Sequence, residues 1–505
     1  MRQTRNIQRA AIAATIGLAV SFAPPALAAT GTSSESLRSA VFSGNIMEHL
    51  EALQSISDSN GGTRAAGTTG YEASLRYIEG QLEAAGYDPV RQPFTYDRYD
   101  LVSASLVRVA PNPASYTYGE AFLDMSYSGG GDVTAPLTAV DINLAGDRAS
   151  TSGCEAGDFA GFVPGNIALI QRGTCTFRIK ADNAAAAGAS GVVIFNQGNV
   201  VAGDDRLGLF GGTLDLPQAT IPVVSTSYAS GAELAGLDSV VMHLAVDAGV
   251  TSIESYNLLA DTPAGRADRT VVVGAHLDSV DVGPGINDNG TGSAAILETA
   301  LQLQDVALTN RIRFAFWGGE EDGLIGSEHY VSRLTGKQVK DHAVNLNFDM
   351  VGSPNFVRYV YDGDGSAFGE KGPNGSALVE AVFLDYFRSQ NLPVVPTEFD
   401  GRSDYFGFIN NGIPAGGLFT GAEDLKTVEE AAIFGGEAGA PLDPCYHQAC
   451  DTLGNVNQEV LEQMADAIAH STLTFAMTTS AVNGTSKGNG TGNVDLEYKA
   501  DKLLK

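Results

Sequence analysis

Apolar residues recur at helical spacing in two stretches near the start of the chain. Ile46, Leu50, Leu53 and Ile56 form one set, and Leu75, Ile78, Leu82 and Ala85 form the other, with Gly86 as the stop. A glycine-rich turn, Asn60-Gly61-Gly62-Thr63-Arg64, lies between them, and residues 36–100 read as helical and then extended. From about 125 to 245 the pattern changes to Gly, Ala and Val with short β runs at 167–170 and 191–195 and one helical run at 180–187. From about 253 to 480 continuous apolar runs alternate with amphipathic ones. The runs at 270–275, 311–317 and 343–349 predict strands, and those at 290–303, 323–334, 376–389 and 457–476 predict helices. That alternation predicts an α/β fold with a mostly parallel central sheet flanked by helices. Beyond about 480 a Gly-, Asn- and Thr-rich linker and a short charged tail (481–505) follow, and no internal repeat is evident.

A length of 505 residues suggests two or three domains. A hydrophobic fraction of 44% can support a sizeable core. The formal charge of −29 argues against nucleic acid or an anionic membrane as partner. Arg2, Arg5 and Arg9 precede an apolar run from Ala10 to Phe22 and a small-residue site near Ala28, so residues 1–28 read as a signal peptide. No later stretch offers 18 uncharged apolar residues, which predicts a secreted chain, extracellular or periplasmic. Four cysteines in an exported chain suggest two disulfides. Of the three pairings, the neighbours Cys154–Cys175 and Cys445–Cys450 are expected, each closing one loop-rich region.

Candidate chemistry gathers just past the predicted strands. His276 and Asp278 follow the run at 270–275, with Asp288 on the loop before the next helix. Glu320-Glu321 follow 311–317, Asp349 ends 343–349, and Tyr446-His447 come last. In an α/β sheet the carboxyl ends of strands converge on one site. Zinc in hydrolases takes His nitrogen and carboxylate oxygen, and a pair of ions needs a bridging carboxylate, for which Asp288 is the candidate. His49, His243, His329, His342 and His470 are expected to be ordinary hydrogen-bonded histidines.

Two resemblances follow from these residues. Gly153-Cys154 through Arg172-Gly173-Thr174-Cys175-Thr176-Phe177, on to Gly191-Val192-Val193, resembles the protease-associated domain. The segments Gly274-Ala275-His276-Leu277-Asp278-Ser279, Gly285-Ile286-Asn287-Asp288-Asn289-Gly290, Phe316-Trp317-Gly318-Gly319-Glu320-Glu321, Asn347-Phe348-Asp349-Met350 and Pro444-Cys445-Tyr446-His447 resemble the secreted bacterial two-zinc, leucine-preferring aminopeptidases. The resemblance implies a zinc-exopeptidase domain (36–124 and 250–480) interrupted by a β-rich protease-associated insert (125–249). It implies one zinc on His276 and Asp349, a second on Glu321 and His447, and Asp288 bridging. Asp278 would accept the second N–H of His276, Glu320 would be the general base, and Tyr446 would donate to the oxyanion. Arg402 would help shape the site for the free amine through its backbone carbonyl, and Phe419 would line the first side-chain pocket. Calcium is a further cofactor candidate without residues to hold it. The expected reaction is removal of large apolar N-terminal residues from peptides or proteins, by a monomer that engages neither nucleic acid nor membrane. A carboxypeptidase or glutaminyl cyclase on the same scaffold, and a non-catalytic receptor-like ectodomain, are the alternatives.

Overall fold

In the computed structural model, residues 33–201 and 204–478 are described, so the leader at 1–28 and the tail at 481–505 lie outside the described residues. The first half of the chain runs through α1 (Glu35–Ala40), α2 (Ser43–Ser59), α3 (Thr69–Ala84), β1 (Val90–Ala110), β2 (Ala114–Tyr116), β3 (Phe122–Asp124), β4 (Gly131–Val140), β5 (Ile167–Gln171), α4 (Phe177–Ala186), β6 (Gly191–Phe195), β7 (Val200–Val201), β8 (Asp204–Asp205), β9 (Val223–Thr226), α5 (Tyr228–Ala235) and β10 (Val241–Asp261). Then follow β11 (Arg266–His276), α6 (Gly292–Gln302), β12 (Asn310–Trp317), α7 (Ile325–Ser332), α8 (Gly336–Asp341), β13 (His342–Phe348), β14 (Tyr359–Tyr361), α9 (Ser376–Ser389), β15 (Val395–Thr397), α10 (Tyr405–Asn410), β16 (Ala415–Phe419), α11 (Val428–Phe434) and α12 (Gln458–Met477).

The apolar spacing explains the helices. α2 buries Ile46, Leu50 and Leu53, and α3 buries Leu75, Ile78 and Leu82. Thr68 caps α3 by accepting from the Tyr71 amide, and Gly86, at φ 84°, ends it in a left-handed turn. β13 and the second half of β11 are buried throughout, which is why they read as unbroken apolar runs. β12, β11, β13 and β16 are parallel neighbours in that order. They pack with α2, α3, α6, α9 and α12 into one large core. α7 is shorter than its predicted helix, because Gly323 and Leu324 adopt left-handed backbone at φ 111° and 62° and hold the preceding residues in a turn.

A long ribbon, β1 paired antiparallel to β10, goes beyond the sequence reading, which has only extended chain up to about residue 100. Most β1 residues are half-buried or exposed, and in β10 buried residues mostly alternate with half-buried ones, so no continuous apolar run marks the pair. At one end β10 pairs with β12, and at the other with β4, so fourteen strands join in one mixed sheet among the described residues. β4, β5, β6 and β9 are parallel and enclose two smaller cores beside α4 and α5. Both disulfides form as expected, Cys154–Cys175 and Cys445–Cys450, with Cα–Cα distances of 5.7 and 5.3 Å.

Candidate metal centre

Past the carboxyl ends of β11, β12 and β13, five side chains face one another. The Nε2 of His276 lies 3.3 Å from Asp288 Oδ1 and 3.3 Å from Asp349 Oδ1. The Nε2 of His447 lies 3.2 Å from Asp288 Oδ2 and 3.0 Å from Glu321 Oε2. Each oxygen of Asp288 therefore faces a different histidine, and each histidine has a second carboxylate beside it. His276 Nε2, Glu321 Oε1 and Asp349 Oδ1 are buried and have no hydrogen-bond partner among the described residues. Buried polar atoms without partners are costly, so these three, each in a cluster of possible ligands, fit ligand atoms for cations. Nitrogen and carboxylate donors in two trios sharing one carboxylate fit a pair of zinc ions.

Backbone-directed side chains shape this arrangement. The buried Arg64 guanidinium donates to the carbonyls of Leu277, Pro284 and Gly285, pinning the loop from His276 to Asp288. Asp451 accepts from the amides of Asn287 at 2.8 Å and Asp288 at 2.9 Å. Ser403 donates to Asp349 Oδ2 at 2.6 Å and accepts from Asn347. Asp278 differs from its expected contact. His276 Nδ1 is 3.1 Å from the Asp278 backbone carbonyl and 3.8 Å from its carboxylate, which instead accepts from the amides of Glu320 and Glu321. Sequence reasoning missed Arg64, Asp451 and Ser403. Arg64 stood in the glycine-rich turn already noted, and nothing else set the three apart.

The metal-free electrostatics are those of crowded, buried carboxylates. Burial raises Glu320 well above its usual value. Burial and then the Asp288 charge push Glu321 up to about 8. Asp288 is held low: burial opposes ionisation, but the imidazoles of His276 and His447 beside its two oxygens outweigh it. Burial would lower both histidines, yet the surrounding carboxylates raise His276 well above its usual value and His447 to about 10.

An open cavity of about 130 Å³ adjoins these groups, lined by Asp288, Asp349, Glu320, Phe419, Arg402 and Tyr446 among others. Phe419 stacks on Tyr359, with centroids 5.9 Å apart. Tyr446 stacks on His447 at 3.8 Å. Arg402 donates to the Tyr446 hydroxyl at 3.1 Å and pairs with Glu423 at 2.8 Å. The other five histidines stand apart. His49 contacts Tyr77 and Glu298, His243 contacts Asp132, His342 contacts Tyr330, His470 contacts Ser34, and His329 packs on Phe94.

The sequence model of peptidase family M28 matches residues 257–472, and that of the PA domain matches residues 133–234. The chain is 48% identical over 441 residues to an aminopeptidase of Pseudomonas aeruginosa, covering 87% of this chain and 82% of that one. It is 40% identical over 417 residues to the probable leucine aminopeptidase 2 of Aspergillus fumigatus, covering 82% and 79%. Among solved structures, the aminopeptidase from Aneurinibacillus sp. strain AM-1 superposes with a TM-score of 0.68 at 26% identity, covering 88% of this chain and 96% of that one. BSAP, a zinc aminopeptidase from Bacillus subtilis, gives 0.60 at 26% identity, covering 86% and 96%.

Proposed function

The chain belongs to peptidase family M28, with a protease-associated domain inserted, and from that premise we propose a two-zinc exopeptidase mechanism. It is a zinc-dependent aminopeptidase. The observation that carries the finer reading is the double face of Asp288, one oxygen toward His276 and the other toward His447. In this reading His276 and Asp349 hold one ion, Glu321 and His447 the second, and Asp288 both; calcium is assigned no residues.

When bound, the pair of ions supplies Lewis acidity that brings a water toward ionisation near neutral pH. Glu320, buried beside the ligands, takes the water's proton and returns it to the leaving amine. The Tyr446 phenol donates to the carbonyl oxygen as negative charge develops there. Asp278 holds the Glu320-Glu321 backbone from behind. The acidic cavity favours a cationic α-amine, which accounts for attack at a free N-terminus. The ring of Phe419, which lines the cavity, favours large apolar first residues, and the backbone carbonyl of Arg402 helps shape the site for the free amine. The division into a peptidase domain (36–124, 250–480) and an insert (125–249) is part of the same proposal. So are export, which two disulfides fit, and action as a monomer.

The test pairs kinetics with metal analysis. Glu320→Gln should keep two zinc ions per chain and lose roughly 10²–10⁴-fold in kcat on leucine-p-nitroanilide. An N-acetylated analogue should not be cut. Unchanged kcat in Glu320→Gln, or turnover surviving exhaustive chelation, overturns the mechanism.

A further inference from the structure

The turn that carries Glu320 and Glu321 is tight. The Glu320 carbonyl accepts from the amides of Gly323 and Leu324, both at 2.8 Å, and Gly319 accepts from Ile325 at 2.9 Å. Asp278 grips the turn from the inside. Its outside lies against the β1–β10 ribbon. Phe94, Tyr96 and Arg98 alternate along β1 and so share one face. Phe94 packs on His329 of α7 and on Tyr96. The Tyr96 hydroxyl donates to the Asp322 carboxylate. Arg98 reaches Asp281 at 3.6 Å and Asp322 at 4.0 Å, touching both the His276–Asp288 loop and the Glu320 turn. The partner strand contributes Asn257, which accepts from the Gly318 amide at 3.2 Å and donates to the Gly326 carbonyl at 2.8 Å, closing both ends of the turn. Across the ribbon Asn257 also donates to Gln92, its register partner.

We propose that this ribbon face is the positioning element for Glu320, with Tyr96 and its partner Asp322 as the chief positioning residues, and that the inserted domain is coupled to catalysis through it. The proposal rests on Glu320 being the base. The coupling has a physical route. The ribbon is continuous from the turn to β4, and Tyr127, on the segment entering the insert, donates to the Asp97 carbonyl between Tyr96 and Arg98. Neither Tyr96 nor Asp322 is among the five candidate ligand side chains, so their loss should displace the base without emptying the metal sites. A small displacement of a reacting group lowers turnover far more than binding.

A double-mutant cycle tests this on the zinc-loaded full chain, with leucine-p-nitroanilide as substrate. Tyr96→Phe and Asp322→Ala should each lower kcat about tenfold, with KM and zinc content unchanged. The double variant should be no slower than the slower single one, because both remove the same contact. Asp322→Asn keeps an acceptor for the phenol and should stay within about threefold of the parent. Tyr127→Phe should lower kcat by a smaller factor, also at constant KM. A kcat for Tyr96→Phe within twofold of the parent, or multiplicative effects in the double variant, overturns the proposal. Glu320→Gln, run beside them, isolates the other failure: if it keeps full turnover, the base assignment fails, whatever the ribbon variants do.

Discussion

Asp451 shows how much of this site depends on side chains that need never touch a ligand. Its two oxygens hold consecutive amides, those of Asn287 and Asp288, and so fix the backbone from which the Asp288 carboxylate projects. Asp451→Asn replaces one acceptor with a donor, setting an N–H against an N–H. Zinc affinity should fall about 10- to 100-fold, read by competition with a chelator, while kcat at saturating zinc changes less. Affinity equal to the parent's would remove Asp451 from this role. The ligand set was legible for His276, Glu321 and Asp349 because each is a His or a carboxylate at or just after the end of an apolar strand; Asp288 and His447 stand on loops and were found by resemblance. Arg64 and Asp451 were not legible, because they bind backbone groups that the folded chain alone brings near. The acceptor for His276 was misplaced by one group, since a residue's own carbonyl and carboxylate cannot be told apart in a sequence.

At the scale of elements, α2 and α6 are joined by a buried polar contact inside an otherwise apolar interface. Glu298 on α6 accepts from Asn45 at 2.8 Å and lies 3.2 Å from His49, both on α2, and it accepts from Gln302 at 2.9 Å. Burial would raise the Glu298 carboxyl, but these donors hold it below its usual 4.5. A folded value below the unfolded one stabilises above pH 4.5, and that stability is lost as pH falls through the folded value. Glu298→Gln should therefore cost about 1–2 kcal/mol at neutral pH, and its Tm deficit should close under acid. A deficit that stays constant with pH would show that the charge contributes nothing. Helices such as α9 and α12 were legible from spacing alone, whereas β1 was legible only as extended chain up to about residue 100 and its pairing with β10 was not. A ribbon half in water has no apolar run to betray it.

Across the whole molecule, among the described residues, the main core and two smaller clusters lie on the sheet that carries the candidate site, and two further cores lie beyond the ribbon. Ile194, fully buried in one of the further cores, is far from the site in fold terms. Ile194→Ala should remove about 2–5 kcal/mol from that part, moving an early calorimetric transition while the later, activity-linked one stays in place. A single transition that shifts with loss of activity would mean that the cores unfold as one. They are nonetheless sewn together by β10, whose Met242, Leu244 and Val246 fill an outer core and whose Leu258 and Ala260 fill the main one. The β1–β10 pairing slips register twice, between Arg108 and Ala110 and between Leu101 and Ser103, and the second slip lies midway between these duties. Chimeras that trade this module among relatives should therefore recombine at that irregularity, on both strands together; splicing closer to the enzyme would carry away the buttress of its own active site along with the cargo.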